Sequence, residues 1–452
     1  MMKGRPRASG IAPLLASIAS MVASPALSAP VPDFSGEWAV TSRAVDGSTS
    51  TMLELERTQN GYAGKSGPLD ILAACPLVYA GEALAGRLRL SVQCRGLEVG
   101  TLELALETDR LEGTGKLFGT AVTVSAHRPG DEAARAPVTH RHDPAGFHPV
   151  TSSTPAPALR LRSGDKVSTR TVDAYGLDEH NVSASMPGNP GVGPFYIEGA
   201  MPGDTVAIRF ISITTNRTTA RMNAALDPAA LMPGHVQRPG TIEDVVWVLD
   251  PQKNVAALRT PSEKLKGFKA PLRPMVGVVS VAPAGFSVAN RELGEWGGNL
   301  DYNEIRAGVT LYLPVYQAGA LIYIGDGHAL QGDGEVAGQG LETSLAVEFE
   351  VTLRKRQTFP RPPGFPPLGP WAENAEYVMV SGIGGDVTDA LRRATTSLSL
   401  WLKETYQLDD SEVAAVLGTS VEYDLAAVIS AKSHVVAKIH KDVLKLIAAP
   451  AQ

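Results

Sequence analysis

The chain has 452 residues, a formal charge of −6, 45 glycines and 33 prolines. That length allows more than one domain and a sizeable core, and the abundance of turn formers suits a β-rich fold. Basic residues are scattered through a net acidic sequence, so nothing points to a nucleic-acid partner or to binding of an anionic membrane.

Residues 1–29 read as an export signal. Lys3, Arg5 and Arg7 form a basic start, Ile11 to Val22 is apolar but short for a bilayer span, and Ala26 and Ser28 suit cleavage after Ser28. The mature protein is therefore expected in the periplasm or outside the cell, with no membrane span. In such a compartment Cys75 and Cys94, the only two cysteines, are expected to form a disulfide.

Residues 30–128 predict a small antiparallel β-barrel-like domain. Thr51 to Glu56, Gly86 to Val92 and Gly100 to Leu106 alternate apolar and polar residues, separated by turns such as Asn60-Gly61. Asp33 to Trp38 resembles the opening strand of small lipocalin-like barrels. Residues 129–158, rich in Pro, Ala, Ser and Thr, read as a linker or lead-in. His140, His142 and His148 fall here, either solvated or available to a metal.

From 159 onward strands dominate, as in Thr205 to Ile211 and Ser344 to Val351, and Phe359 to Pro370 reads as a polyproline-like crossing. Val387, Leu391, Ala394, Leu398, Trp401 and Leu402 recur at helical spacing, and Asp409 to Glu412 resembles a capping box opening a second helix. The predicted class is mainly β or α+β, with 159–452 as one domain ending in helices.

The densest chemistry lies in Gly325-Asp326-Gly327-His328-Ala329-Leu330-Gln331-Gly332-Asp333-Gly334-Glu335, after the apolar run Gly319 to Ile324. The apolar run reads as a buried strand, with the charged groups at its end and on the following turn. Side chains two apart on extended backbone point the same way, so Asp326 with His328, and Asp333 with Glu335, can each converge on one point. Carboxylates beside an imidazole suit a divalent metal or acid/base work. The competing reading is a solvated, glycine-rich turn.

Neighbouring motifs favour the site. Gly297-Gly298-Asn299-Leu300-Asp301 precedes Gly308-Val309-Thr310-Leu311-Tyr312-Leu313-Pro314-Val315. After the charged segment comes Gly338-Gln339-Gly340-Leu341-Glu342, with Gly193 to Asp204 upstream and Val421 to Asp424 downstream. This order resembles the acetamidase/formamidase family over roughly residues 139–445. The resemblance implies a β-sandwich-like domain, hydrolysis of formamide- or acetamide-like linear amides, and a homo-oligomer, commonly a dimer. The export signal and the extra β domain depart from the family, as does the loop between about 177 and 192.

Amides are poor electrophiles, so their hydrolysis needs a strong nucleophile, oxyanion stabilisation and an acid for the leaving nitrogen. The sequence has no G-x-S-x-G elbow, and both cysteines lie outside the family-like region, which leaves metal-assisted attack by water. Asp301, Asp326 and His328 are the expected ligands and Glu335 the proton shuttle. Asp333, Asp173 (a position matching the family) and Glu198 are further candidate catalytic groups. The imidazole favours zinc, whereas an all-carboxylate set would favour calcium or magnesium. Two rival readings stay open: an exported small-ligand binding protein without catalysis, and a hydrolase of another carbonyl compound such as an ester or lactam.

Overall fold

The computed structural model describes residues 32–45, 47–66, 75–129, 135–238, 245–355 and 369–448. The expected leader and most of the proline-dense stretch before Trp371 lie outside these residues.

Eight strands from Gly36–Ala44 to Thr120–His127 pair antiparallel in sequence order, and the first closes on the last to form a barrel. The alternation read from the sequence sets the inside. Trp38, Leu53, Leu55, Leu88, Leu90, Leu102 and Leu104 point inward and fill the barrel, so it is a packed core and not a hollow one. Arg128 lays its guanidinium over the Trp38 ring at 3.9 Å. Cys75 and Cys94 are disulfide-bonded across the hairpin formed by Leu77–Leu84 and Arg87–Cys94.

The rest of the described chain is built on a sandwich. A six-stranded sheet runs in the order Leu159–Leu161, Gly191–Ile197, Ile322–His328, Met275–Val281, Gly297–Asn299, Leu293–Gly294. A nine-stranded sheet has Thr205–Thr215 and Leu345–Arg354 at its centre. The two share one apolar core, with Val192, Phe195, Ile322 and Ile324 from the first meeting Ile208, Phe210, Phe349 and Val351 from the second. The lead-in is built into this unit, since Thr139–Arg141 forms the last strand of the nine-stranded sheet beside Lys166–Arg170.

The C-terminal helices cover the Tyr377–Gly384 and Ser433–His440 strands. The long helix Val387–Tyr406 buries Ala390, Ala394, Leu398 and Leu402. Val387 and Leu391, expected in the buried stripe, are 38% and 39% exposed. Close packing explains the choice of alanine. A Cβ at Gly382 of the underlying strand would lie 2.0 Å from the Ala390 carbonyl oxygen, so helix and strand are too close for a bulky first turn. The second helix, Asp410–Ser420, opens on the expected capping box between Asp409 and Glu412.

Candidate metal centre

The Ile322–His328 strand lies between Gly191–Ile197 and Met275–Val281. It extends through the charged residues, so Asp326 and His328 lie within the strand and are buried. Alternate glycines allow this. A Cβ at Gly325 would lie 2.5 Å from the Pro190 carbonyl oxygen, and one at Gly327 would lie 2.5 Å from that of Thr343. Neighbouring backbone therefore closes over the glycine face, and the functional side chains fall on the other face.

Three further segments complete the cluster. Gly277, the strand residue opposite Asp326, has no side chain, and a Cβ there would sit 2.5 Å from Asp301 Oδ1 and 2.8 Å from Asp326 Oδ2. Asp301 follows the Gly297–Asn299 strand with a φ of 41°. Glu335 closes the short turn Asp333–Glu335. Glu342 lies across an isolated bridge from His328. Asp301, His328 and Glu335 bring ligand atoms within 4.8 Å of one another, and so do Asp326, His328 and Glu342.

On three of these residues the polar groups share one pattern. Asp326 Oδ2 accepts a hydrogen bond from Asn189 (2.7 Å), while its Oδ1 is buried without a hydrogen-bond partner. Asp301 Oδ2 accepts from the Asn299 amide, while its Oδ1 is unpartnered. His328 Nδ1 is 2.7 Å from Gln331 Oε1, while Nε2 faces Glu342 Oε1 at 3.1 Å and Asp326 Oδ1 at 3.5 Å with hydrogen-bond geometry to neither. Glu342 Oε2 is likewise unpartnered. Asp326, Asp301 and His328 are thus each anchored through one atom and bare at the other, and Glu342 adds a further bare oxygen. Buried polar atoms are rarely left unsatisfied, and bare carboxylate oxygens beside a bare imidazole nitrogen fit a divalent cation.

The electrostatics agree with the geometry. Burial, then the neighbouring Asp326 charge, pushes the Asp301 carboxyl up to about 7. Burial and Asp326 push Glu342 up to about 8, against the pull of His328. Burial and Asp301 raise Glu335 well above the carboxylate range. Burial works against a charged His328, but Glu342 and Asp326 outweigh it and hold the imidazole well above its usual value. Crowded buried carboxylates need either protons or a cation.

Other residues singled out from the sequence stand apart. Asp173 is buried, but Arg217 pairs with its Oδ2 at 2.7 Å and the Tyr175 and Leu177 amides donate to its Oδ1. Glu198 pairs with Arg160 just beyond the Gly191–Ile197 strand. Asp333 is exposed and accepts from Asn303 at 2.8 Å, because the left-handed Gly334 turns it away from Glu335. None of these three, expected from sequence as catalytic groups, supplies an atom to either cluster. His140 meets the buried Asp165, His142 packs edge-on to Phe195 and His148 to Tyr323, and none supplies an atom to either group. Glu342, Asn189, Asn299 and Gln331 were not identified as site residues. Glu342 did lie inside a family-like motif, and Asn189 inside the loop noted as unusual.

Fold and site together define a β-sandwich protein with a buried carboxylate–imidazole centre. Residues 287–440 match the Acetamidase/Formamidase family. Among solved structures, an acetamidase from Yersinia enterocolitica is 27% identical with a TM-score of 0.59, covering 70% of this chain and 96% of that one. An acetamidase from Bacillus halodurans is 24% identical with a TM-score of 0.57, covering 69% of this chain and 100% of that one. A predicted acetamidase/formamidase from Thermoanaerobacter tengcongensis is 23% identical with the same TM-score, covering 69% and 99%. These last two likenesses are of fold. No curated protein matches the chain.

Proposed function

We propose that this protein is a cation-dependent hydrolase of carbon–nitrogen bonds in short linear amides, releasing ammonia and a carboxylate. The family match supports amide hydrolysis in general. The observation that carries the mechanism is the set of bare, buried donor atoms on Asp301, Asp326, His328 and Glu342. These four side chains would hold the ion, with Asn189 and Asn299 fixing the outer carboxylate oxygens. A divalent cation supplies Lewis acidity toward an amide carbonyl and toward water. Glu335, beside Asp301 and His328, is the group available to take a proton from water and return it to the leaving nitrogen. Zinc is the proposed occupant on account of the imidazole, although the surplus of carboxylates also suits magnesium or calcium. Export to an oxidising compartment and assembly into a homodimer are part of the same proposal.

The test is ammonia release from formamide, acetamide and propionamide, before and after chelation and again after zinc is restored. Turnover lost with chelator and regained with metal is expected. A folded, metal-loaded protein inert toward a broad amide panel would overturn the reading, and stabilisation by amides without product would favour the binding protein. Within this reading Glu335→Gln should keep its metal while kcat falls about 10²–10⁴-fold.

A further inference from the structure

We infer that Gln331 is a positioning residue that keeps a proton on His328 Nδ1, so that Nε2 is the atom offered to a cation among the carboxylates. The inference rests on the reading that this cluster binds a cation. Gln331 is buried, and its side-chain amide meets three segments of the chain. Nε2 donates to the Asp301 carbonyl oxygen at 2.6 Å and lies 3.5 Å from that of Ala426, while Oε1 lies 2.7 Å from His328 Nδ1.

The orientation of this amide is decided by its surroundings. Flipping it would bring two carbonyl oxygens to 2.6 Å, with no hydrogen between them. Oε1 therefore faces the imidazole. An amide oxygen only accepts, so Nδ1 must donate, and when a cation takes the place of the second ring proton the lone pair that meets it is on Nε2. Nε2 is the atom that faces Asp326 and Glu342. No side chain on residue 340 can compete for Nδ1, since a Cβ at Gly340 would lie 2.5 Å from that nitrogen.

The same amide reaches two proposed ligands at once. It sets the tautomer and ring plane of His328 through Oε1, and through Nε2 it tethers the backbone of Asp301, which sits at a positive φ. A side chain that only filled space would do neither.

The experiment compares the wild-type chain with Gln331→Met, which keeps length and burial but not the hydrogen bonds. Zinc affinity is measured by competition with a chromophoric chelator, and folding is checked by circular dichroism. Gln331→Met should bind zinc about 10–100-fold more weakly. In the zinc-loaded wild type labelled with 15N-histidine, the ring that responds to metal should carry zinc on Nε2 and a slowly exchanging proton on Nδ1. That proton should exchange rapidly in Gln331→Met. The wild-type spectrum decides the point even if the variant fails to fold. Zinc on Nδ1, or unchanged affinity in a folded Gln331→Met, would overturn the inference and leave the metal reading intact. A wild-type chain that binds no divalent metal would overturn both.

Discussion

At the residue scale, the cluster depends as much on what is missing as on what is present. Gly277 leaves the space that the carboxylates of Asp301 and Asp326 occupy, and a methyl group there would overlap both. Gly277→Ala is expected to fold and to lose metal and turnover together. Metal content measured beside a thermal melt checks this, and full metal occupancy in the variant would count against it. A second residue-scale prediction concerns pH. His434 is buried, with Nδ1 at 2.7 Å from the Leu300 carbonyl and Nε2 at 2.9 Å from Ser381 Oγ, and burial lowers its pKa to about 4. The unfolded chain binds this proton near pH 6.5 and the folded chain only near pH 4. Stability from this group is therefore complete above about pH 6.5 and is lost as the pH falls toward 4, by about 3 kcal/mol. Urea unfolding at pH 7 and pH 4.5 should show a smaller loss for His434→Gln than for the wild type.

The same scale shows what local sequence could and could not reveal. Asp326, His328, Asp301 and Glu335 were legible because glycine-spaced ionisable groups beside an apolar strand are unusual without a purpose. Asp173 looked equivalent, but Arg217, 44 positions away, pairs with it in the fold. Asn189 is 137 positions from the Asp326 oxygen it holds. Such partners are brought together by sheet order, which no local spacing encodes. Glu342 reaches His328 only through a bridge between segments that local sequence does not pair.

At the scale of the element, local chemistry was more legible. The capping box at Asp409 and Glu412 needs only neighbours three residues apart, and it forms as expected. Asp409→Ala should cost about 1 kcal/mol, read as a lower midpoint in thermal unfolding with activity unchanged. The long helix was harder, because its helical period was correct but its buried face was set by the proximity of Gly382 and Gly384 beneath it. The Cys75–Cys94 bridge closes a loop with a sequence separation of 19. On loop-closure entropy it contributes roughly 3 kcal/mol to the barrel. Reduction should lower the unfolding temperature of the barrel and leave amide turnover largely intact, and equal loss of both would show that the site depends on the barrel.

At the scale of the whole molecule, the barrel docks away from the cluster. Ser48, on its first hairpin, bonds Ser153 and Gln317, and Ala39 and Met52 pack with Met201 and Ala318. Gln317 also donates to the carbonyls of Ser48 and Pro283. Pro283 follows the Met275–Val281 strand and Gln317 precedes Ile322–His328, so the contact lies at the Val281/Ile322 end, opposite the Met275/His328 end. At about 3.3 Å per residue the two ends are roughly 20 Å apart. Gln317→Ala would remove the Gln317 donor to the Pro283 carbonyl and the Gln317 bonds to Ser48, and should weaken docking by about 1–3 kcal/mol. Differential scanning calorimetry is expected to resolve barrel and sandwich transitions that merge in the wild type, with metal content unaltered.

The measurement that bears most directly on the central claim is the divalent-metal content of dialysed protein, wild type against His328→Ala. Bound metal is expected in the wild type and its loss in the variant, with circular dichroism showing that the β fold persists. A wild-type protein that is metal-free yet fully active on amides, or a His328→Ala variant with undiminished metal, would contradict it.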